Sequence, residues 1–181
     1  MTDRSGISAL VFDTTCLSYF ARADRLDVLG DLRAGLSSFV PDPVRLEIRD
    51  GLSAHPQLRQ VLEVDWLQTV PLDTLDRIKR LATWASRVGA GPRHVGEASV
   101  LAVAEELSIT ALIDERDATR TGRAYGVAVH GTIWLLAAAC RDGKLTMVAA
   151  GNLVDSLGET GMRLPCAGND FRRFVERHRL L

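Results

Sequence analysis

Two aspartates directly follow short apolar segments, at positions where a carboxylate can do chemistry. Asp13 stops the apolar run of ISALVFDTT, which spans Ile7 to Thr15, and Asp114 directly follows ITALI. An apolar run without alternation is typical of a strand buried on both faces of a parallel sheet. Ligands of open α/β sheets bind just outside the carboxyl ends of such strands. The two aspartates therefore predict a shared acidic site, provided that their strands are neighbours.

Three further acids are candidates for the same site. Glu97 falls on the inward face of the helix EASVLAVAEEL, because buried positions follow it by three and four residues. Glu47 lies at the edge of the apolar stripe of an earlier helix, VRLEIRDGL, and Asp117 lies over the same turn as Asp114. A simpler interpretation stays open for each acid, because carboxylates also cap helix N-termini or face solvent.

The chemistry of this acidic set indicates a hard divalent cation. Crowded carboxylates in a partly buried site repel one another, and Mg²⁺ or Mn²⁺ suits oxygen donors without His or Cys. Such an ion activates water and stabilises charge on a phosphoryl oxygen. His94 and His130 are isolated, and we interpret both as structural. The three cysteines, Cys16, Cys140 and Cys166, are far apart and indicate buried thiols in a reducing compartment.

The overall composition is that of one globular domain. The chain has 181 residues, 46% of them hydrophobic and 25% charged, and can bury a core without disulfides. No segment approaches the roughly 20 apolar residues of a membrane span, and we expect a cytoplasmic protein. The domain is predicted over residues 1–181, with a core of about 7–145 and a helical extension of about 146–181.

The charge distribution argues against a general, charge-driven nucleic-acid binder. The formal net charge is −1, and the isoelectric point is about 6.4. Two basic stretches remain of interest. Arg116, Arg120 and Arg123 share one face of a helix beside the proposed site, where they either hold phosphates or are simply solvated. The second is the segment FRRFVERHRL, for which two interpretations stay open. It either binds RNA or an acidic partner, or it is an ordinary surface helix.

Strands alternate with helices along the chain, which indicates an α/β fold with a three-layer arrangement and a mostly parallel central sheet. After the first strand, which stops at Asp13, extended segments are predicted at residues 36–40, 64–72, 109–113 and 127–129. Asp24, Asp73 and Asp114 are predicted to cap helices, and Glu106 is predicted to be solvated. A flexible joint is predicted from Gly89 to Gly96.

The order and spacing of these motifs resemble the PIN-domain ribonucleases, the fold of VapC-like toxins in toxin–antitoxin pairs. The similarity covers roughly Ile7 to Leu145, and the tail from about Thr146 matches the compact toxins poorly. The run from ALID through HGTIWLL most resembles a PIN subgroup described only as uncharacterised proteins. The matching segments are VFDTTCLSYFARADRLDVL, FVPDPVRLEI, VGEASVLAVAEEL, ALIDERDATRTGRAYG and VAVHGTIWLLAAACRDGKL.

The resemblance implies a site and an activity. The four principal acids of the family fall on Asp13, Glu47, Glu97 and Asp114, with Asp117 at a more variable fifth position. Metal binding by one or two Mg²⁺ or Mn²⁺ ions is implied for Asp13, Glu97, Asp114 and Asp117, and water activation for Glu47. The implied reaction is hydrolysis of phosphodiester bonds in single-stranded RNA. We expect the hydroxyl residues that follow Asp13, Thr14 and Thr15, to contact the substrate, together with Arg116 and Arg120 of the basic helix face. The implied partners are an antitoxin protein and a second copy of the chain.

Two other functions compete with this one. VFDTT also resembles the opening strand of haloacid-dehalogenase phosphotransferases, in which Asp13 would be the nucleophile. Thr15 stands where that group normally has a second Asp as general acid, which weakens this alternative. The other alternative is a non-catalytic PIN-fold binding or regulatory module, whose acids hold a metal only for structure.

Overall fold

A central sheet of five parallel strands positions the rest of the molecule. The computed structural model describes residues 8–89 and 94–181. The strand order is β3-β2-β1-β4-β5, so that β1 has β2 on one side and β4 on the other. The predicted α/β fold class is therefore confirmed. The strands are β1 (Ala9–Phe12), β2 (Ser37–Pro41), β3 (Leu67–Val70), β4 (Thr110–Leu112) and β5 (Val129–His130).

Helices cover both faces of the sheet and make three layers. On one side α6 packs against β1, β2 and β4, and is flanked by α3, α5 and α7. On the other side α8 contacts α2, α9 and α10. The helices of the described residues are α1 (Thr14–Arg22), α2 (Leu26–Leu32), α3 (Asp42–Asp50), α4 (Arg59–Glu63), α5 (Leu75–Val88), α6 (Val95–Leu107), α7 (Arg116–Ala124), α8 (Thr132–Arg141), α9 (Met147–Glu159) and α10 (Phe171–Arg177).

The most buried elements are those with continuous apolar sequence. All four residues of β1 are buried, as expected for a strand between two neighbours with helices on both faces. Helix α6 buries eight of its thirteen residues, and α8 buries seven of its ten. None of the helices within 8–89 and 94–181 is long and apolar enough to cross a membrane.

Two helix starts differ from the sequence prediction by one residue. Arg25, not Asp24, occupies the N-cap position of α2, and Asp24 adopts a positive φ of 55° in the preceding turn. Thr74, not Asp73, caps α5, and its hydroxyl accepts a hydrogen bond from the Arg77 amide. Within the predicted joint from Gly89 to Gly96, residues 90–93 lie outside the described residues.

Glu106 was predicted to be solvated, but its side chain instead links α6 to α5. Its carboxylate accepts hydrogen bonds from Nε of Arg77 at 2.9 Å and from Nη2 at 2.8 Å. Nearby, the buried Trp84 donates its indole N–H to Glu105 at 3.1 Å. The Arg87 guanidinium lies over the Trp84 ring and also over a tyrosine that follows α7. These contacts hold α5 and α7 around α6, the helix that carries Glu97.

Candidate active site

Asp13 and Asp114 lie at the same edge of the sheet, as the sequence predicted. Phe12 of β1 is paired with Leu112 of β4, and the Asp13 amide donates to the Leu112 carbonyl at 3.1 Å. Asp13 is only 3% exposed, and its Oδ2 accepts a hydrogen bond from the Thr15 amide at 3.2 Å. Burial, followed by the negative charge of Glu97, raises the pKa of Asp13 to about 7. This carboxyl group therefore stays partly protonated near neutral pH.

Asp114 is held from the opposite side by the start of α8. The Thr132 amide donates to Oδ1 of Asp114, and the Thr132 hydroxyl donates to Oδ2, both at 2.7 Å. The contact is close because Gly131 precedes Thr132, and a Cβ at Gly131 would lie 2.7 Å from Oδ1. Burial raises the pKa of Asp114, although the bonds from Thr132 oppose the shift. Asp114 is thus fixed in orientation.

The N-cap of α7 is Glu115 and not Asp114. The Glu115 carboxylate accepts hydrogen bonds from the amides of Asp117 at 3.0 Å and Ala118 at 2.6 Å. The capping alternative for Asp114 is therefore wrong, since its carboxylate is bonded to Thr132 instead. Capping alone does not explain why an acid ends β4.

Glu47 and Glu97 meet where α3 packs against α6. The Thr14 hydroxyl donates a hydrogen bond to the Glu47 carboxylate, which links the start of α1 to α3. Both oxygens of Glu47 lie against Gly96, within 2.8 Å of where a Cβ would stand. Burial raises the pKa of Glu97, and the charges of Glu47 and Glu115 raise it further. The two glutamates are therefore electrostatic neighbours at this edge.

Cys16 lies beneath the two aspartates. Its thiol is fully buried, and burial and the charges of Asp114 and Asp13 raise its pKa. One buried sulfur therefore feels both carboxylates, in keeping with their placement on adjacent strands. The prediction of a buried thiol is confirmed for Cys16, whereas Cys140 and Cys166 are only half-buried.

The two histidines differ in their surroundings. The His130 ring stacks on Trp134 with the centroids 3.9 Å apart, and burial lowers the His130 pKa to about 4. The interpretation of His130 as structural fits this contact. His94 lies at the N-cap position of α6, and its charge lowers the pKa of Glu97 against the effect of burial. His94 is therefore close to the acidic site, which the sequence did not indicate.

The residues predicted on α7 point in different directions. Asp117 forms an exposed ion pair with Arg120 at 3.1 Å, and their side chains are 69% and 76% exposed. The Arg123 guanidinium donates to the Val129 carbonyl at 3.0 and 2.7 Å, while Arg116 is exposed. The acid of this segment whose charge reaches Glu97 is Glu115. Arg116 and Arg120 remain free of contacts with the four principal acids in the part of the chain that the structure describes.

The donor chemistry at this edge suits a hard divalent ion. The principal acids supply only carboxylate oxygens, and no ion pair in the described parts of the chain involves Asp13. Among residues 8–89 and 94–181, no three His, Cys, Asp or Glu side chains stand close enough together to hold an ion. Three of these carboxylates are instead bonded to Thr14, Thr15 or Thr132. The residues therefore suit such an ion in donor type and in their place at one edge of the sheet, but the described side chains do not converge on a common point.

The chain matches the sequence profile of one family, described as DUF3368, PIN domain, over residues 9–168. The chain belongs to the PIN-domain family. PIN domains are generally nucleases, so the haloacid-dehalogenase alternative loses its support. The match extends past Leu145 into the region that was predicted as an extension. No curated protein matches the chain.

Three residues of this PIN domain were missed by sequence reasoning. Thr132 orients Asp114, Gly96 makes room for Glu47, and Glu115 adds a charge near Glu97. A usable signal existed only for Thr132. It follows the short extended segment predicted at residues 127–129, and a helix that starts after a parallel strand begins at the same edge of the sheet as Asp114.

Proposed function

We propose that this PIN domain is a metal-dependent ribonuclease that hydrolyses phosphodiester bonds of single-stranded RNA. The observation that carries the proposal is the pairing of Asp13 with Glu97. The buried Asp13 carboxylate lies near the half-buried Glu97 at the carboxyl edge of the sheet, and the pKa of Asp13 is raised to about 7. Retaining such a repulsive pair is costly for stability, which favours a functional role.

Asp13, Glu97 and Asp114 would hold Mg²⁺ or Mn²⁺, directly or through water. The ion, when bound, would stabilise negative charge on the phosphoryl oxygen and lower the pKa of a bound water. Asp117 was predicted as an additional ligand, but its exposed ion pair with Arg120 favours Glu115 for that place. Thr132 would keep both Asp114 oxygens in orientation, as partners of metal ligands usually do.

Glu47 would orient the attacking water and accept its proton. The Thr14 hydroxyl fixes one oxygen of Glu47, while Gly96 leaves the carboxylate room beside α6. Thr14 and Thr15 begin α1, where backbone amides favour the negative charge of a phosphate. Arg116 and Arg120 are exposed on α7 and would contact neighbouring phosphates of the strand.

We further propose that the protein is the toxin of a toxin–antitoxin pair in the cytoplasm. Its partners would be the RNA substrate, an antitoxin protein and a second copy of the chain. The support is the resemblance of its motifs to VapC-like toxins, together with membership of the PIN family. Co-expression with the product of the adjacent gene tests this role, since an antitoxin would form a stable complex and relieve growth arrest.

Cleavage of defined RNAs tests the nuclease function. Purified protein with Mn²⁺ is mixed with labelled unstructured and hairpin RNAs, and we expect cuts in the unstructured strand that leave 5′-phosphates. Asp13→Asn and Asp114→Asn should each abolish cutting while circular dichroism stays unchanged. Asp50→Asn, at the exposed end of α3, is the matched control and should cut like the wild type. Equal cutting by all three variants would place catalysis elsewhere.

A non-catalytic binding module is the second candidate. The observation that favours it is the spacing of the acids, of which no three among the described residues stand close enough to hold an ion. This alternative predicts RNA binding without cleavage at any Mn²⁺ concentration, and identical binding by wild type and Asp13→Asn. The same assay therefore separates the two functions.

A further inference from the structure

The last helix, α10, has an apolar side that anchors it and an exposed side that is strongly basic. Phe171 and Val175 are fully buried. Arg172, Arg173 and Arg177 are exposed on the same short helix. Because two buried side chains fix the helix against the protein, the arginines are presented from a defined surface.

The positive charge is concentrated here and is not neutralised locally. Residues 171–181 contain four arginines and one acid, Glu176, whereas the remaining chain has 18 basic and 22 acidic residues. Ion pairs in the described ranges 8–89 and 94–181 involve other arginines, and none includes those of residues 171–181. The basic face of α10 is thus free to bind an anionic partner.

This surface lies outside the part of the chain that the family shares. The family match ends at residue 168, and α10 begins at Phe171. The helix packs against α9 and α8, and the first residue of α8, Thr132, holds Asp114. Since a ten-residue helix is about 15 Å long and about 10 Å wide, α10 lies within roughly 25 Å of the acidic site.

We propose that α10 is a second contact surface for RNA, which holds the phosphate backbone of the substrate strand outside the acidic site. The proposal rests on the ribonuclease function. Arginine forks match phosphate oxygens, and such contacts position a strand without reading its sequence. An acidic protein is the weaker candidate, because the exposed positions of α10 offer no large apolar side chain as an anchor.

Salt-dependent binding tests the surface without requiring cleavage. Fluorescence anisotropy of a labelled 20-nucleotide unstructured RNA is measured with EDTA, in the Asp13→Asn background, across a range of NaCl concentrations. The test variant carries R172A, R173A, R177A and R179A. The control variant loses four exposed cations elsewhere, through R25A, R49A, R59A and K79A.

We expect the test variant to bind at least tenfold more weakly in low salt. The slope of log Kd against log salt should fall by up to about 3, at about 0.7 for each lost phosphate contact. The control variant should show smaller changes in both the affinity and the salt slope. Equal losses of RNA affinity in the two variants would overturn the proposal. Displacement of the RNA by polyglutamate at equal charge concentration would also overturn it, because the surface would then be assigned to acidic polypeptides. Failure of the ribonuclease function gives a different result, because the wild type would then bind the RNA in this assay but would not cut it in the cleavage assay.

Discussion

Thr132 binds both oxygens of Asp114, one through its backbone amide and the other through its hydroxyl, each at 2.7 Å. The hydrogen bond from the backbone amide depends only on where α8 begins, whereas the hydrogen bond from the hydroxyl depends on the side chain. The two contributions can therefore be separated by substitution. Serine keeps the hydroxyl, and valine keeps the shape of threonine without it.

Thr132→Val should weaken metal binding because it frees one oxygen of Asp114. We expect the Mn²⁺ dissociation constant to rise about tenfold or more, which is typical for loss of a group that orients a metal ligand. The fold should survive with a loss of about 1–2 kcal/mol. Isothermal titration calorimetry measures the affinity, and Thr132→Ser should restore it. Unchanged affinity in Thr132→Val would mean that the amide alone orients Asp114.

Gly96→Ala should reduce activity without reducing stability. The new Cβ would lie 2.7 Å from Oε1 of Glu47, so the carboxylate must rotate away and lose its bond from Thr14. If Glu47 acts on the attacking water, the cleavage rate should fall about a hundredfold. Alanine also favours a helix over glycine by about 1 kcal/mol, which offsets the local rearrangement in the free energy of unfolding.

Gly158→Ala is the matched control for that substitution. Gly158 lies within α9, and a Cβ there would meet nothing within 4 Å. This variant should be stabilised by about 1 kcal/mol and cut RNA at the wild-type rate. If Gly96→Ala cut equally well, Glu47 would have no part in the reaction.

Ionisation of Asp13 should reduce the stability of the metal-free protein as the pH rises from about 4 to about 7, while the lowered pKa of His130 acts in the opposite direction. Asp13 has a pKa of about 7 when folded and near 3.8 when unfolded, so the folded state alone keeps the proton in this window. The unfolded state then binds fewer protons at Asp13, and the contribution of Asp13 to the free energy of unfolding falls with pH before it levels off above about 7. The loss attributable to Asp13 is at most about 4 kcal/mol.

Urea unfolding in EDTA at several pH values measures this loss. Asp13→Asn lacks the contribution of Asp13, so its stability relative to the wild type should increase from pH 4 to pH 8. Part of the dependence should remain, because the pKa values of Glu97 and Asp114 are also raised. The exposed substitution Asp50→Asn should leave the pH dependence as it is. A difference in unfolding free energy between the wild type and Asp13→Asn that stays constant from pH 4 to pH 8 would contradict the raised pKa of Asp13.

Mn²⁺ binding should release protons near neutral pH, since Asp13 must ionise to become a ligand. Affinity should therefore increase from pH 6 to pH 8, and calorimetry in buffers of different ionisation enthalpy counts the protons.

Glu115→Gln should weaken Mn²⁺ binding more than Asp117→Asn, because the charge of Glu115 reaches Glu97 while Asp117 pairs with Arg120 on the surface. The opposite order would restore Asp117 as the additional ligand.

The sequence predicted the sheet well because its strands are short apolar runs between clear breaks. The buried pattern of β1 and β4 and the acids after them follow directly from residue type and order. The sequence left open whether these two strands are neighbours, and the pairing of β1 with β4 is what places Asp13 and Asp114 at one edge. The inward position of Glu97 followed from helical periodicity alone.

The errors came from contacts that local pattern does not contain. Glu106 was predicted to be solvated, yet it pairs with Arg77, which is 29 residues away in the chain. The cap of α7 was assigned to Asp114 and belongs to the adjacent Glu115, because Thr132 competes for the Asp114 carboxylate. Each case depends on which distant element packs alongside, and a single sequence does not specify this.

The strand order also determines when the protein can assemble. β1 is completed early in the chain, but its second neighbour, β4, comes much later in the sequence. Leu112 of β4 is the residue paired with Phe12 of β1. A nascent chain that ends before β4 leaves β1 as an unprotected edge strand, open to pairing with other chains. It also lacks Asp114, so a truncated product would be prone to aggregation and, under the proposed function, inactive. Under the proposed function, activity would therefore begin only after translation has passed the fourth strand.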